Sequence, residues 1–410
     1  MTRTRLAALL LPLALAGCGL LSDQTVRLLT DRPEMAAYVE RYNARQSDVR
    51  VEVLYDEAPA RAVLEGRAQA DVVIGQWLAS PAGMARFDSL ADMVKPGRID
   101  PSWFYPGLLA MGSRDNRPFL LPLSFNLPTI LFLRQSVSAE LPPLALPLAT
   151  VRTLGGAFNA TGRNGFTAVG FSPLWSGEFL DDTARLHGVR FRAARSGQPV
   201  WDADALLQAA GLLRSWVSET NGGAAADRVF AGRTLVQPAA RLLSTKRILF
   251  SRVPFPEFFA LPEEKRREFD FRWLSNGTVI AAQDDVLFAG ILRAARDKSG
   301  ARKFLSWFFS PQTQRSLLEV NQSRRIGVFC IADGLSSFRA INEKDVPQKY
   351  PLLLGRIPGE SSIAFPETQP DGWLRLRDEV FRPWLSRAAT GEEQEGLDKT
   401  LAEWRKAQKQ

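Results

Sequence analysis

The side chains that most often carry chemistry are scarce in this chain. One histidine, His187, and two cysteines, Cys18 and Cys330, occur among 410 residues. A Ser-His-Asp triad would have to run through His187, and a histidine-rich zinc site is excluded. Leu186-His187-Gly188-Val189 reads as a helix end before a turn, which makes the imidazole a surface group. Two cysteines cannot build a disulfide framework. Cys330 sits in an apolar run and reads as a buried, inert thiol. What the chain does offer is recognition chemistry, because it holds ten tryptophans. Trp77 follows Gly75-Gln76, Trp175 closes a turn at Pro173, and Trp373 follows Gln369-Pro370-Asp371-Gly372. The adjoining carboxylates Asp284 and Asp285 stand just before an apolar stretch. Flat rings stack on apolar faces, and carboxylates, amides and guanidinium groups bind polar rims. Trp201, Trp216, Trp307, Trp384 and Trp404 fall on helical or turn patterns and read as packing. No cofactor and no metal is implied.

These groups need a scaffold large enough to hold them. The composition, 45% hydrophobic and 23% charged, is that of a folded chain, and the length suits two domains. Net charge is a modest +8, carried by arginines scattered along the chain, whereas a nucleic-acid binder concentrates basic charge in a stripe or tail. Strands and helices alternate from the start. Residues 26–30, 49–54 and 70–75 read as strands, the last a continuous apolar run of the kind buried on both faces of a parallel sheet. Residues 34–46 and 58–69 read as the helices between them, so the pattern is α/β. Further on, Asp204 precedes a stripe of Leu206, Leu207, Ala210, Leu213 and Val217 that Asn221-Gly222 stops. Ser310-Pro311 opens a helix after the one over 301–309, and residues 373–410 read as terminal helices. Pro142-Pro143 to Pro147 reads as a surface crossing.

The N-terminus is an export signal in pattern. Arg3 and Arg5 precede a short apolar stretch that ends Leu15-Ala16-Gly17-Cys18, and this resembles the bacterial lipobox. The stretch is shorter than the roughly 20 residues of a membrane span. The resemblance implies a lipoprotein signal peptide over 1–17, cleavage before Cys18, acyl chains (palmitate among them) on that residue, and a tether over 18–24.

Several later segments resemble family 1 extracellular solute-binding proteins, the maltose-binding-like receptors of ABC transporters. Ala70-Asp71-Val72-Val73-Ile74 is similar to the strand before the family's first ligand loop. Leu121-Pro122-Leu123-Ser124-Phe125-Asn126-Leu127-Pro128 is similar to its first crossing between lobes. Gly170-Phe171-Ser172-Pro173-Leu174-Trp175 resembles the ligand loop of the second lobe, and the run from Val286 to Ile291 resembles the return crossing. The segment 301–314 resembles the late helix pair, with Gly327 at the third crossing, although Arg324-Arg325-Ile326-Gly327-Val328 lacks the usual Gly-x-Pro. The resemblance implies a two-lobed periplasmic-binding-protein-like fold with the ligand cleft between lobes and a hinge of two or three crossings. It places lobe 1 at 25–126 plus 285–321 and lobe 2 at 127–284 plus 322–410. It implies ligand contacts from Gln76, Trp77, Phe125, Asn126, Trp175, Asp284, Asp285 and Trp373.

The function so implied is a monomeric, lipid-anchored receptor on the periplasmic side of a bacterial membrane. It binds a sugar, oligosaccharide or related polar solute by hinge closure and delivers it to ABC permease subunits, without changing it and without nucleic acid as a partner. Two other readings use the same scaffold: a tethered interaction or adhesion lipoprotein, and a glycoside hydrolase built on two carboxylates. Lipid anchoring depends on one sulfur atom. Cys18→Ala is expected to leave a soluble or unprocessed protein in a detergent phase-partitioning assay; full partitioning of that variant into detergent contradicts the anchor.

Overall fold

A computed structural model describes residues 25–137, 140–323, 327–393 and 395–408. Cys18, the signal segment and the tether lie outside the described residues. Two sheets organise the rest. The first has six strands in the order Leu335–Ser336, Leu121–Phe125, Leu287–Ile291, Val72–Gly75, Thr25–Thr30, Arg50–Tyr55. Thr25–Thr30 runs parallel to both of its neighbours, while Leu287–Ile291 runs antiparallel between Val72–Gly75 and Leu121–Phe125. The apolar run Val72, Val73, Ile74 is fully buried, as a strand covered on both faces requires. The second sheet has four strands, Phe250–Val253, Thr129–Leu133, Phe269–Ser275 and Ala145–Pro147. The chain therefore changes sheets between Phe125 and Thr129, and again between Ser275 and Leu287. Between the sheets, Ile280–Ala281 pairs in parallel with Ile363–Ala364.

Most elements lie where the pattern puts them, and the departures have local causes. The helix Met35–Asn43 buries Met35, Tyr38, Val39 and Tyr42. Pro59–Leu64 is shorter than the expected 58–69, because Gly66 turns left-handed at φ 72°. The Arg67 and Gly66 N–H groups then close on the Ala62 and Val63 carbonyls, a helix stop that needs glycine. Ala203–Ser215 runs on through one wider turn, Trp216–Thr220, and ends at the left-handed Gly222 and Gly223. Leu206, Ala210, Leu213 and Val217 face inward, but Leu207 is exposed, since the adjacent position points off the stripe. Asp297 and Ser310 cap the helices Lys298–Phe308 and Pro311–Ser323. Ala145–Pro147, read as part of a surface crossing, is instead an edge strand beside Trp273–Ser275, a place that tolerates proline. Cys330 is fully buried, and burial pushes its thiol up to about 12.

The boundary expected at 321/322 needs correction. Leu335–Ser336 completes the open edge of the first sheet by pairing with Phe125 and Ser124, so the chain has not yet left the first lobe. The Phe338 ring meets Phe104 edge-on at 4.7 Å on that side. Only then does the chain lie along the second sheet, where Arg356 pairs with Asp270 and its carbonyl accepts from the Trp273 indole. It passes Ile363–Ala364 and joins the second lobe in the helical run from Trp373 to Thr390. Gly327 is not at a crossing.

One buried carboxylate ties the start of the first sheet to its return strand. Asp71 accepts from the backbone N–H groups of Arg27 at 2.9 Å, Arg296 at 2.6 Å and Asp297 at 3.1 Å. Asp71→Ala leaves three N–H groups short of an acceptor in a buried site. The expected loss is about 3 kcal/mol, read from urea unfolding with an unchanged denaturant slope; a loss under about 0.5 kcal/mol contradicts this role.

Candidate functional site

Parallel strands leave unpaired backbone and polar loops at their carboxyl ends, and ligands bind there in α/β folds. In the first lobe those ends carry Asp31 and Arg32 after Thr25–Thr30, and Gln76 and Trp77 after Val72–Gly75. The helical run that begins at Trp373 faces them from the second lobe. Between lies a cleft of about 770 Å³, walled by Asp31, Gln76 and Trp77 on one side and by Trp373, Arg375 and Asp378 on the other. That volume falls in the range of small-molecule sites.

Trp77 is the most constrained residue of the wall. Its φ is +64°, the left-handed region that a bulky residue occupies at a cost of about 1–3 kcal/mol. The turn aims the indole across the cleft, where the Arg377 guanidinium lies 4.5 Å from its centroid. One face of the ring is thus covered by the protein's own cation. Two further bonds close the same seam: Gln369 N–H donates to the Ala79 carbonyl at 2.9 Å, and Asp371 accepts from the Ala82 N–H at 2.8 Å.

Beside the Asp31 and Gln76 wall of the cleft lies a buried, charged cluster. Asp31 lies 3.4 Å from Arg32. Glu34 Oε1, Asn126 Oδ1, Asp285 Oδ1 and Arg252 Nη2 are shielded from water and make no hydrogen bond within the chain. Native structures pair almost all such groups, so unpaired ones beside a cleft make it a candidate place for a ligand's polar groups. Burial raises the carboxyl groups of Asp31, Glu34, Asp285 and Asp333 above the ordinary range; Asp284 adds to it at Asp285, while Arg185, Arg252 and Arg32 oppose it there. Carboxylates raised by desolvation beside arginines are a signature of functional clefts. Among the described residues no group of three or more His, Cys, Asp or Glu side chains could hold a metal.

The residues singled out from sequence separate into three sets. Gln76, Trp77, Asn126 and Asp285 come together: the Gln76 amide reaches Asp285 at 3.5 Å, and Asn126 donates to the Asp333 carbonyl at 3.2 Å. Asp284 and Trp373 stand behind them as support, because the Trp373 indole N–H donates to Asp284 at 2.6 Å. Phe125 and Trp175 do not join the cleft. Phe125 is 1% exposed, edge-on to Tyr105 and Phe365, since alternation along its strand turns it into the first lobe's core. Trp175 lies between Phe171 and Phe230, at 5.9 and 5.8 Å. His187 ends its helix with Nδ1 2.9 Å from the Thr183 carbonyl, as expected of a satisfied surface group. Asp31, Arg32, Glu34, Arg252 and Arg377 were not singled out from sequence. For Asp31 and Arg32 the signal is present, namely polar residues directly after a parallel strand; for Arg252 and Arg377 nothing local marks them among many arginines.

Neither a family model nor a curated protein sequence matches this chain. Solved structures do resemble it in fold. The sugar-binding protein MalE of Xanthomonas citri superposes at a TM-score of 0.67 with 14% identity, over 92% of this chain and 95% of that one. The cyclic α-maltosyl-1,6-maltose binding protein of Arthrobacter globiformis gives 0.65 with 16% identity, over 92% and 96%. The maltose-binding periplasmic protein MalE of Listeria monocytogenes in complex with maltose gives 0.64 with 12% identity, over 93% and 96%. The chain has the two-lobed fold of these binding proteins.

The packing of Trp175 makes a pH prediction. Asp227 lies beside it, and burial pushes the Asp227 carboxyl up to about 6, with the Ser172 hydroxyl and the Trp175 indole opposing. A carboxyl raised in the folded state stabilises most where it is protonated, below about pH 4, and that contribution is lost as pH rises through about 6. Asp227→Asn is expected to flatten this dependence and to raise stability at pH 8 by about 1–2 kcal/mol, measured by urea unfolding at pH 5 and 8. Parallel pH profiles for the two proteins contradict it.

Proposed function

We propose that the protein is the substrate-binding receptor of an ABC importer, taking a neutral sugar or oligosaccharide between its lobes. One observation carries this reading: beside the cleft, acceptors without a partner (Glu34 Oε1, Asn126 Oδ1 and Asp285 Oδ1) lie in the field of guanidinium groups, one of which, Arg252, also has a nitrogen without a partner. An anion would meet the carboxylates of Asp31, Glu34 and Asp285, and a cation would meet Arg32 and Arg252. A hydroxyl donates and accepts at once, so a polyhydroxylated molecule answers both kinds of group. Trp77 supplies aromatic surface for its C–H faces. The fold supports the same conclusion, since the similar structures are of proteins described as binding maltose or other saccharides.

In this reading the crossings at Asn126, at Ala282 to Val286 and near Ala364 bend, and a ligand that touches both lobes favours the closed form by its differential affinity. Binding leaves the ligand unchanged. Cys18 anchors the receptor as a monomer on the periplasmic face, where the loaded form meets the permease. No helix among the described residues is long and apolar enough to cross a membrane.

The test is calorimetric titration with a panel of neutral oligosaccharides, maltotriose and mannotriose among them. At least one is expected to bind in the micromolar range, with Trp77→Ala weakening it about tenfold, the roughly 1.4 kcal/mol of a lost aromatic contact. Binding of charged solutes alone, with no heat from any neutral saccharide, overturns the assignment.

A further inference from the structure

A second groove shares no residue with the cleft. It lies on the second lobe, between the helix Ala224–Thr234 and a short hairpin of Ala160–Gly162 and Gly165–Ala168. Its volume is about 460 Å³, within the range of ligand-binding sites. The hairpin is a two-stranded sheet of its own, so each strand keeps one edge without a neighbour. Residues 164–167 border the groove and Ala160–Gly162 do not, which places it along the unpaired edge of Gly165–Ala168. Just past that edge the Val169 N–H donates to the Arg247 carbonyl at 3.1 Å, and the strand joins the body of the lobe.

The lining is apolar and basic. Half-buried Phe166 lines the hairpin side, and Phe230 with the 49% exposed Val229 lines the helix side. Arg233 and Arg247 are exposed and line it too, whereas no Asp or Glu does. Among the described residues neither guanidinium meets a carboxylate. Arg233 reaches the Asn164 carbonyl at 3.5 Å, and Arg247 lies 5.9 Å from the Phe230 ring centroid. Other arginines of this lobe, such as Arg152, Arg185 and Arg252, are paired with acids. The surrounding field has the same sign. From Ala224 to Arg247 the chain carries five basic residues and one acidic residue, Asp227, which is buried.

We propose that this groove binds an extended acidic peptide segment of another protein, which adds a third strand beside Gly165–Ala168. A strand edge offers backbone donors and acceptors in a repeating order that another peptide backbone matches along its length. Apolar side chains of the segment rest on Phe166 and Val229. Its carboxylates meet Arg233 and Arg247, which have no acidic partner among the described residues. A basic segment is opposed by like charge. A second copy of this chain is opposed in the same way, because pairing two such hairpins edge to edge brings Arg163 of the turn and the groove arginines of one copy against those of the other.

The test is fluorescence anisotropy with the intact protein and a labelled six-residue peptide of alternating glutamate and valine, capped at both ends. This peptide is expected to bind saturably, and its counterpart with lysine for glutamate at least tenfold more weakly. Two further versions are N-methylated at every second residue, one in each frame, and at least one of them is expected to bind at least tenfold more weakly. Succinate, a small dianion, is expected to displace the peptide at least tenfold less effectively than unlabelled peptide does. The double variant Arg233→Gln, Arg247→Gln, at exposed positions, is expected to weaken the peptide at least tenfold with an unchanged unfolding midpoint. Trp77→Ala, in the cleft, is expected to leave peptide binding as it was. Absence of saturable binding, equal affinity for the lysine peptide, or full retention in the double variant overturns the proposal. So does loss in Trp77→Ala. Unchanged binding of both N-methylated versions, or displacement by succinate as effective as by peptide, overturns it in favour of a small anion. None of these outcomes depends on whether the cleft binds a saccharide.

Discussion

A single carboxylate at the middle crossing, Asp284, holds the working parts of this molecule in place. It is 7% exposed, and a charge there persists only if its partners replace water. Burial alone would raise its carboxyl, but the guanidinium groups of Arg185 and Arg377, each 3.2 Å away, outweigh that and hold it below the usual range. The Trp373 indole N–H donates to its other oxygen, and the Gln369 amide donates to its backbone carbonyl. Four elements thus converge on one residue: the middle crossing, a helix of the second lobe, the last crossing, and the start of the C-terminal helices. Arg377 carries the connection onward to Trp77 in the first lobe.

That arrangement explains why polar groups in the cleft tolerate incomplete pairing. Desolvation raises Asp31, Glu34 and Asp285, and the left-handed backbone of Trp77 adds strain; these costs fall at the facing edges of the lobes. Two buried carboxylates away from the cleft are held by several partners each. Asp71 saturates its acceptors with three backbone N–H groups, and Asp182 pairs with both Arg185 and Arg252.

Much of the fold was legible in the sequence because its signals are local. The apolar run at Val72, the helical spacing of Met35, Val39 and Tyr42, and the cap at Ser310 need no knowledge of distant partners. The last crossing was misplaced because Leu335–Ser336 is a two-residue strand whose existence depends on a free sheet edge more than 200 residues earlier. The site was half legible. Gln76, Trp77 and Asp285 lie beside strand ends, whereas Phe125 and Trp175 were drawn by resemblance to a crossing and to a ligand loop, and burial of an aromatic ring is decided by its neighbours. Arg377 was invisible, since what sets it apart from other arginines is a tryptophan 300 residues away.

The central claim is that the two lobes clamp a saccharide by turning about the crossings that Asp284 holds. Small-angle X-ray scattering tests it most directly, on protein freed of solute by unfolding and refolding, with and without the tightest-binding neutral oligosaccharide at saturation. The account predicts a smaller radius of gyration in the loaded protein. Superimposable curves at saturation would contradict it.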